Sequence, residues 1–141
     1  MILPSDISTA VIAHWRSNPV MKSLVPGGLW IAGTIPSAAQ APYASMIVLE
    51  SDSEVGSTYV IRRFELTITV WSDLALENAG EIAKALNDWL PLNLSLFKLP
   101  LPEGDVIRVR PGSADAEVLE NPRLANDITV TRLRRRIVTE E

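Results

Sequence analysis

The sequence has no cysteine and a single histidine among its 141 residues. The lack of cysteine excludes a disulfide framework, a thiolate zinc site and a cysteine nucleophile. His14 has no aspartate or glutamate three or four residues beyond it, so the spacing supplies neither a standard transition-metal site nor a catalytic triad. We interpret His14 as a partly buried residue of a helix.

Glycine-rich and serine-centred motifs are also missing. "PGG" at 26–28 and "PGS" at 111–113 are isolated turns that lack the GxxxxGK[ST] and GxGxxG contexts of phosphate-binding loops. No serine lies in a GxSxG motif. The acidic cluster Glu50, Asp52 and Glu54 could bind a hard cation through oxygen ligands, although a solvated, mobile turn fits these residues better. The sequence therefore predicts no catalytic residue, no metal site and no cofactor, and the protein is not expected to be an enzyme.

Long apolar runs are absent, and the charge balance is mildly negative. The formal net charge is −4, which disfavours a protein held to nucleic acid by bulk electrostatics, so no sequence-specific nucleic-acid partner is expected. No window approaches about 18 continuous apolar residues, so we expect no membrane span. The stretch "MILPSDISTAVIAHW" has no basic region before its apolar residues, so we expect no signal peptide and synthesis in a cytosol.

What the sequence does contain is an alternation between helical and extended periodicity. Apolar residues spaced three and four apart predict a first helix near 5–17, with Ser5 as its N-cap, and a short second helical piece to about residue 25. "SDLALENAGEIAKALNDWLP" predicts the main helix, which Ser72 or Asp73 caps and Pro91 stops. Its apolar stripe consists of Ala75, Ala79, Ile82, Leu86, Trp89 and Leu90.

The strongest strand signal is "IRRFELTITVWSD", in which alternate residues from Phe64 to Val70 are apolar. A strand from Val60 to Trp71 spans roughly 40 Å, about twice the average length, so part of it is expected to extend past the body of the domain. Shorter strands are predicted in "LWIAG", "SMIVLES", "LNLSLFKL", "DVIRVR", "AEVLEN" and "ANDITVTRLRRRIVTEE". In the last segment a slip of the apolar phase suggests a bulge, or two ends that face different partners.

These elements predict the fold class. "TIPSAAQAPYAS" reads as an exposed loop and "SDSEVGSTY" as an acidic turn. The order of the elements predicts one α+β domain over residues 1–141, with a single, mostly antiparallel sheet covered on one face by two helices. A chain of this length buries roughly 68% of its unfolded surface, enough for one core. Aromatic residues are only 6% of the sequence, so aliphatic side chains must fill most of that core.

Arginine is concentrated on the predicted strands, and three interpretations of it are open. The first interpretation is an interface, because arginine binds carboxylates through paired hydrogen bonds in protein–protein contacts. The 17 acidic residues supply such partners on another copy. Charged strands also form solvated faces that discourage edge-to-edge aggregation. A nucleic-acid surface needs interleaved aromatic residues, and these segments give only Phe64. The strands hold 8 of the 13 basic residues: Arg62, Arg63, Arg108, Arg110, Arg132, Arg134, Arg135 and Arg136.

The arrangement of motifs resembles a known family. A short N-terminal helix leads into "LVPGGLW", then a proline-rich loop that ends in "APYASMIVL", then an acidic turn and a long strand that ends in "VWSD" before the main helix. This order is similar to the tail-terminator (tail-completion, or minor tail) proteins of long-tailed bacteriophages and prophages. The resemblance covers about residues 5–138, and its most telling pieces are Pro42-Tyr43 and Val70-Trp71-Ser72. "LPLPEGDVIRVRPGSADAE" fits the pattern less well.

The resemblance implies a structural protein of the virion tail or neck, made in the host bacterial cytoplasm. Such proteins form a ring, usually a hexamer, that caps the head-proximal end of the tail tube, stops further addition of tube protein and offers the surface onto which the head docks. The implied partners are other copies of the chain, the tail tube protein and a head-completion or connector protein. For intersubunit or tube contact the candidates are Arg62, Arg63, Arg132, Arg134, Arg135 and Arg136. For a docking loop the candidates are Ile35, Pro36, Pro42 and Tyr43.

Two other functions stay open at this point. A head-side connector or stopper of the neck is also a small α+β ring subunit. A cytosolic ligand-binding module would instead be a monomer with a pocket between sheet and helices.

Overall fold

The structure, a computed structural model, describes residues 1–73, 76–92, 99, 101–111, 123–125 and 128–141. Within these ranges the chain forms three helices and six strands. The helices are α1 (Pro4–Arg16), α2 (Pro19–Leu24) and α3 (Leu76–Trp89). The strands are β1 (Leu29–Ile31), β2 (Tyr43–Val55), β3 (Val60–Ser72), β4 (Asp105–Pro111), β5 (Arg123–Ala125) and β6 (Ile128–Glu140). None of the helices in the described ranges has the length and apolar character that a membrane crossing requires.

All six strands belong to one sheet with the order β1-β2-β3-β6-β4, and β5 pairs with the other end of β6. β1 runs parallel to β2, while every other pair is antiparallel. The α+β class and the mostly antiparallel sheet are therefore confirmed. The short helical piece expected near residue 25 is α2, which contacts both longer helices. The strands predicted in "LNLSLFKL" and "AEVLEN" lie almost wholly outside the described residues.

The core lies between the sheet and the helices, and β3 shows how the sequence builds it. Phe64, Leu66, Ile68 and Val70 alternate along this strand, and each is at most 1% exposed. Each such burial contributes roughly 1.5–3 kcal/mol. Opposite them lie buried side chains of the helix layer: Ile7, Val11, Trp15, Met21, Ile82, Leu86 and Trp89. The described part of the stripe predicted for the main helix is thus confirmed.

β3 is as long as predicted, but its hairpin partner is longer than predicted. "SDSEVGSTY" was expected to be a turn, whereas β2 continues through its first half to Val55. The reason is the partner strand: β3 is already extended there, and Val55 pairs with Val60 and Glu54 with Ile61. The extra pairs satisfy backbone groups that a turn would leave to water. Only residues 56–59 form the turn of the hairpin.

β6 explains the phase slip without a bulge in its pairing with β3, which is continuous from Ile61–Glu140 to Ser72–Thr129. The residues of β6 that face the helices are the odd-numbered ones, from Thr129 to Thr139, and all of them are buried. Threonine occupies the ends of this row, and Leu133, Arg135 and Ile137 its centre, so the apolar pattern is interrupted although the strand does not change face.

The two N-terminal helices begin at prolines. Pro4 is the first residue of α1, and the Asp6 carboxylate accepts the Leu3 N–H at 2.7 Å. The prediction of Ser5 as the N-cap is therefore wrong by two residues, since a proline at the first helical position loses no hydrogen bond. Asn18 caps α2 as its side chain accepts the N–H groups of Val20 and Met21.

Gly27 and Gly80 offer a matched pair of substitutions. A β-carbon on Gly27 would collide with the carbonyl oxygens of Gln40 and Pro42, whereas Gly80 has open space around it within a helix. We expect Gly27→Ala to destabilise the fold by roughly 1–3 kcal/mol and Gly80→Ala to stabilise it by about 0.5–1 kcal/mol. Urea unfolding of both variants checks this, and equal effects of the two would contradict it.

Candidate interaction surface

The face of the sheet turned away from the helices, here called the open face, carries four of the six candidate arginines. In the described part of the chain no helix packs on it. Strand alternation and the pairing register fix its composition. Its described side chains are Tyr43, Ser45, Ile47, Leu49, Asp52 and Glu54 on β2; Ile61, Arg63, Glu65, Thr67, Thr69 and Trp71 on β3; Ile128, Val130, Arg132, Arg134, Arg136, Val138 and Glu140 on β6; and Asp105, Arg108 and Arg110 on β4.

Five arginines on the last two strands form what we call the basic column: Arg108, Arg110, Arg132, Arg134 and Arg136. Arg110 stands directly opposite Arg136, an arrangement in which like charges repel. Glu65 on the other side of Arg136 offsets part of this repulsion, because its carboxylate accepts from Nε at 2.8 Å and lies 2.7 Å from Nη2. The column is thus a local concentration of positive charge on an acidic protein.

Among the residues that the structure describes, most of the basic column has few binding partners. Arg108 and Arg110 are exposed and form no ion pair with any residue that the structure describes. Arg134 Nε is buried, yet it has no hydrogen-bond partner among the same residues. Arg132 donates only to the hydroxyl of Thr69, at 3.3 Å. Guanidinium groups with open donors match the carboxylates of a second protein.

An apolar patch of Ile47, Leu49, Tyr43 and Trp71 lies on the open face, with β3 between Ile47 and Leu49 and the basic column. Ile47 and Leu49 on β2 are 49% and 63% exposed. At the start of β2 the ring of Tyr43 meets that of Trp71 on β3 in a tilted contact with centroids 5.4 Å apart. Aromatic and arginine side chains around exposed aliphatic ones are the composition favoured in protein–protein interfaces.

Arg62 and Arg63 lie near the hairpin end, on opposite faces of the sheet. Arg62 is on the helix side, where it contacts Glu50 at 3.0 Å and Glu141 at 3.7 Å. Arg63 is on the open face and hydrogen-bonds the Asp52 carboxylate at 3.0 Å, with Glu54 at 3.8 Å. This hydrogen bond and the charge of Asp52 raise the pKa of the Arg63 guanidinium, so it stays charged.

The acidic cluster is therefore part of a paired strand and not a solvated turn. Its carboxylates are occupied by arginines, and no group of histidine, aspartate and glutamate within the described ranges is arranged to hold a metal ion.

Arg135 differs from the other candidates because it points into the helix side and is 4% exposed. Its Nε donates to the Leu90 carbonyl at 3.1 Å and its Nη2 to the Asn87 side chain at 2.7 Å. A cation here also complements the negative end of α3. From this position Arg135 cannot reach another protein, so we remove it from the candidate interface. Sequence reasoning grouped it with Arg134 and Arg136 because the three are consecutive, but alternate residues of a strand face opposite ways.

The candidate docking loop connects β1 to β2. Pro36 is exposed, whereas Ile35 and Pro42 are half-buried. The Gly27 N–H donates to the Pro42 carbonyl at 2.9 Å, which fastens the end of the loop to the preceding turn. Tyr43 follows on the open face, so the loop leads directly to the apolar patch.

His14 lies on the helix side of the sheet, where a backbone carbonyl and an indole ring contact its imidazole. Its Nε2 donates to the Trp89 carbonyl at 2.8 Å, and its ring stacks on the Trp89 indole with centroids 5.3 Å apart. The interpretation of His14 as a partly buried helix residue agrees with these contacts.

Sequence reasoning did not select four residues that the structure adds to the surface. Arg108 and Arg110 lie two residues apart on a predicted strand, a spacing that already places them on one face. Ile47 and Leu49 belong to "SMIVLES", an apolar run that predicts a strand. No signal in that run shows that one side of it stays uncovered.

Comparisons with known proteins give a family match and a structural match. The family model described as tail completion protein gp17 matches residues 9–136. A chain in the solved structure of the virion of a native gene transfer agent (GTA) particle is 21% identical, with a TM-score of 0.73 over 96% of this chain and 95% of that one. At this identity the likeness shows a shared fold. Among curated proteins, none matches the sequence.

Arg134 and Arg135 are neighbours that we expect to behave differently. Arg135→Met removes the donors to Leu90 and Asn87 and should destabilise the fold by about 1.5–3 kcal/mol. Arg134→Met removes a buried Nε that has no hydrogen-bond partner among the described residues, so it should raise the free energy of unfolding by up to about 1–3 kcal/mol. Chemical denaturation of both variants measures the difference. A neutral Arg135→Met would refute the structural role of this side chain.

Proposed function

We propose that this chain, which belongs to the family of tail completion protein gp17, completes the phage tail by closing the head-proximal end of its tube as a ring of identical subunits. Family membership makes it a structural protein of the virion with a part in tail completion. The ring, its six subunits and the arrest of tube growth are our proposal.

The observation that carries the proposal is the presence of both the basic column and the apolar patch on the open face. A merely solvated strand face has no need for guanidinium groups in particular, and all five members of the column are arginine. Guanidinium is more weakly hydrated than the lysine ammonium and binds carboxylates in a two-pronged geometry, so arginine suits interfaces. The buried Nε of Arg134 costs free energy unless a partner accepts a hydrogen bond from it.

The proposed partners are carboxylate-bearing surfaces of the tube protein and of the next subunit. A head-to-tail interface between identical subunits closes into a ring when its rotation divides a full turn. A ring seated on the tube end covers the surface to which another tube subunit would add. The opposite side of the ring then meets the head-completion or connector protein, with the loop from Ile35 to Tyr43 as the second candidate contact.

Electron microscopy of tails from particles that lack this gene tests the function. We expect overlong tails without heads, because nothing would stop the tube or dock the head. Tails of normal length without heads would instead assign the protein to the head-side connector. Intact virions would contradict a role in the particle and favour a ligand-binding module.

A single charge reversal tests the basic column. Arg134→Glu should leave the fold intact, since Arg134 forms no ion pair within the described part of the chain, but should repel the acidic partner. We expect the fraction of head-bearing tails of normal length to fall about tenfold or more in complementation. Arg16→Glu, an exposed reversal on α1, is the matched control and should complement normally. Full complementation by Arg134→Glu would remove the column from the interface.

A further inference from the structure

Two strand edges of the sheet have no neighbouring strand among the described residues. β1 covers the outer edge of β2 only at 44–46, which leaves the stretch from Ile47 to Val55 open. β4 is the last strand on the other side, so its outer edge from Asp105 to Pro111 is open as well. Each such edge presents unpaired N–H and C=O groups that can pair with another strand.

The two open edges lie at the same level, by which we mean the same position along the strand direction. Arg108 on β4 pairs with Val138, Val138 pairs with Arg63, and Arg63 pairs with Asp52 on β2. One step along, Arg110 connects in the same way to Leu49. A rotation about an axis parallel to the strands does not change this level. Neighbouring copies in a ring with such an axis would therefore bring β4 of one copy beside the open stretch of β2 of the next.

The directions of the strands also fit. β2, β3, β6 and β4 are successively antiparallel, so β2 and β4 point in opposite directions. Rotation about an axis along the strands keeps each direction, and β4 would meet β2 of the next copy as an antiparallel pair. In that arrangement the backbone hydrogen bonds run perpendicular to the strands.

The charges decide which edges can meet. On the open face β4 carries Asp105, Arg108 and Arg110, so its edge is net positive, while the open stretch of β2 carries Asp52 and Glu54. At the shared level Arg108 lies opposite Asp52 and Arg110 opposite Leu49, whereas Asp105 lies opposite Glu54. Two β4 edges would bring two net positive edges together and two β2 edges two negative ones, which disfavours both symmetric pairings. β4 against β2 joins a net positive edge to a negative one. The favoured contact is thus head-to-tail, the type that generates rings.

We propose that β4 of one subunit pairs in antiparallel fashion with the outer edge of β2, residues 47–55, of the next, so that the sheets form one continuous ladder around the ring. This inference rests on the ring of the proposed function. Arg108 lies directly opposite Asp52 of the neighbouring copy, and Arg110 lies diagonally beside the same carboxylate. Asp52 also contacts Arg63 of its own hairpin, yet remains 60% exposed, and a carboxylate accepts several hydrogen bonds at once.

A charge exchange between two variants tests the pairing. One variant carries Arg108→Glu, which brings a second carboxylate opposite Asp52. The other carries Asp52→Arg, which brings a second guanidinium opposite Arg108. Each alone should lower the fraction of head-bearing tails of normal length about tenfold or more, because every junction opposes like charges. The two expressed together should restore it, since alternating subunits make every junction complementary.

Circular dichroism of each variant controls for folding, because the second variant removes the carboxylate that Arg63 hydrogen-bonds and leaves Glu54 as its remaining partner on the hairpin. If both variants fold and their mixture fails as each does alone, the pairing is refuted.

A cross-link provides a second test that keeps the native charges elsewhere. The chain has no cysteine, so Asp52→Cys combined with Arg108→Cys, or with Arg110→Cys for a shifted register, introduces the only thiols. Within one subunit β2 and β4 are separated by three inter-strand spacings, about 14 Å, which exceeds the reach of a disulfide. Oxidised, capped tails should therefore give a ladder of covalent multimers on a non-reducing gel.

Glu81→Cys with Arg108→Cys, in which one thiol lies on exposed α3, is the control and should stay monomeric. Capped tails that give only monomers with both test pairs would overturn the edge pairing while the proposed function stands. Tails of normal length with heads in the absence of the gene would overturn the proposed function itself.

Discussion

The antiparallel ladder between β3 and β6 is the constraint from which the rest of the molecule follows. Both strands are 13 residues long and pair without interruption. Because successive side chains point to opposite faces, a slip of one residue would exchange the faces of the whole strand. It would take Leu133 and Ile137 out of the core and bury Arg134 and Arg136 instead. Hydrophobic burial thus fixes the register, and the same register aligns the arginines of the open face.

Arg135 shows how the ladder accommodates a cation on its buried side. A charge at that position is costly unless its hydrogen bonds are satisfied. The end of α3 supplies the acceptors, since the Leu90 carbonyl has no partner further along the helix. The two groups stabilise each other: the guanidinium holds the end of α3 over the centre of β6, and the end of α3 satisfies the hydrogen bonds of the buried guanidinium. Along β6, a buried structural arginine therefore directly follows an arginine of the candidate interface.

The sequence predicts those elements whose structure is encoded within their own segment. Apolar residues alternate from Phe64 to Val70 and recur at helical spacing from Ile82 to Leu90, so β3 and the main helix were predicted well. β2 beyond residue 50 is extended because of its partner and not because of its own residues, which resemble a turn. The surface was predicted in part for the same reason. Arginine content indicated an interface, but only the pairing of strands far apart in sequence shows that Arg108 and Arg110 join Arg132, Arg134 and Arg136.

The length of the β2–β3–β6 ladder has a mechanical consequence. In the proposed ring, the axis follows the strands. A force that pulls the head away from the tail along the tube would therefore act along the strands. Hydrogen bonds perpendicular to the load are then strained together in shear, whereas a load across the strands would open them one after another. A subunit of this shape is stiff in the direction in which a particle is stretched, and it yields most readily at its edges.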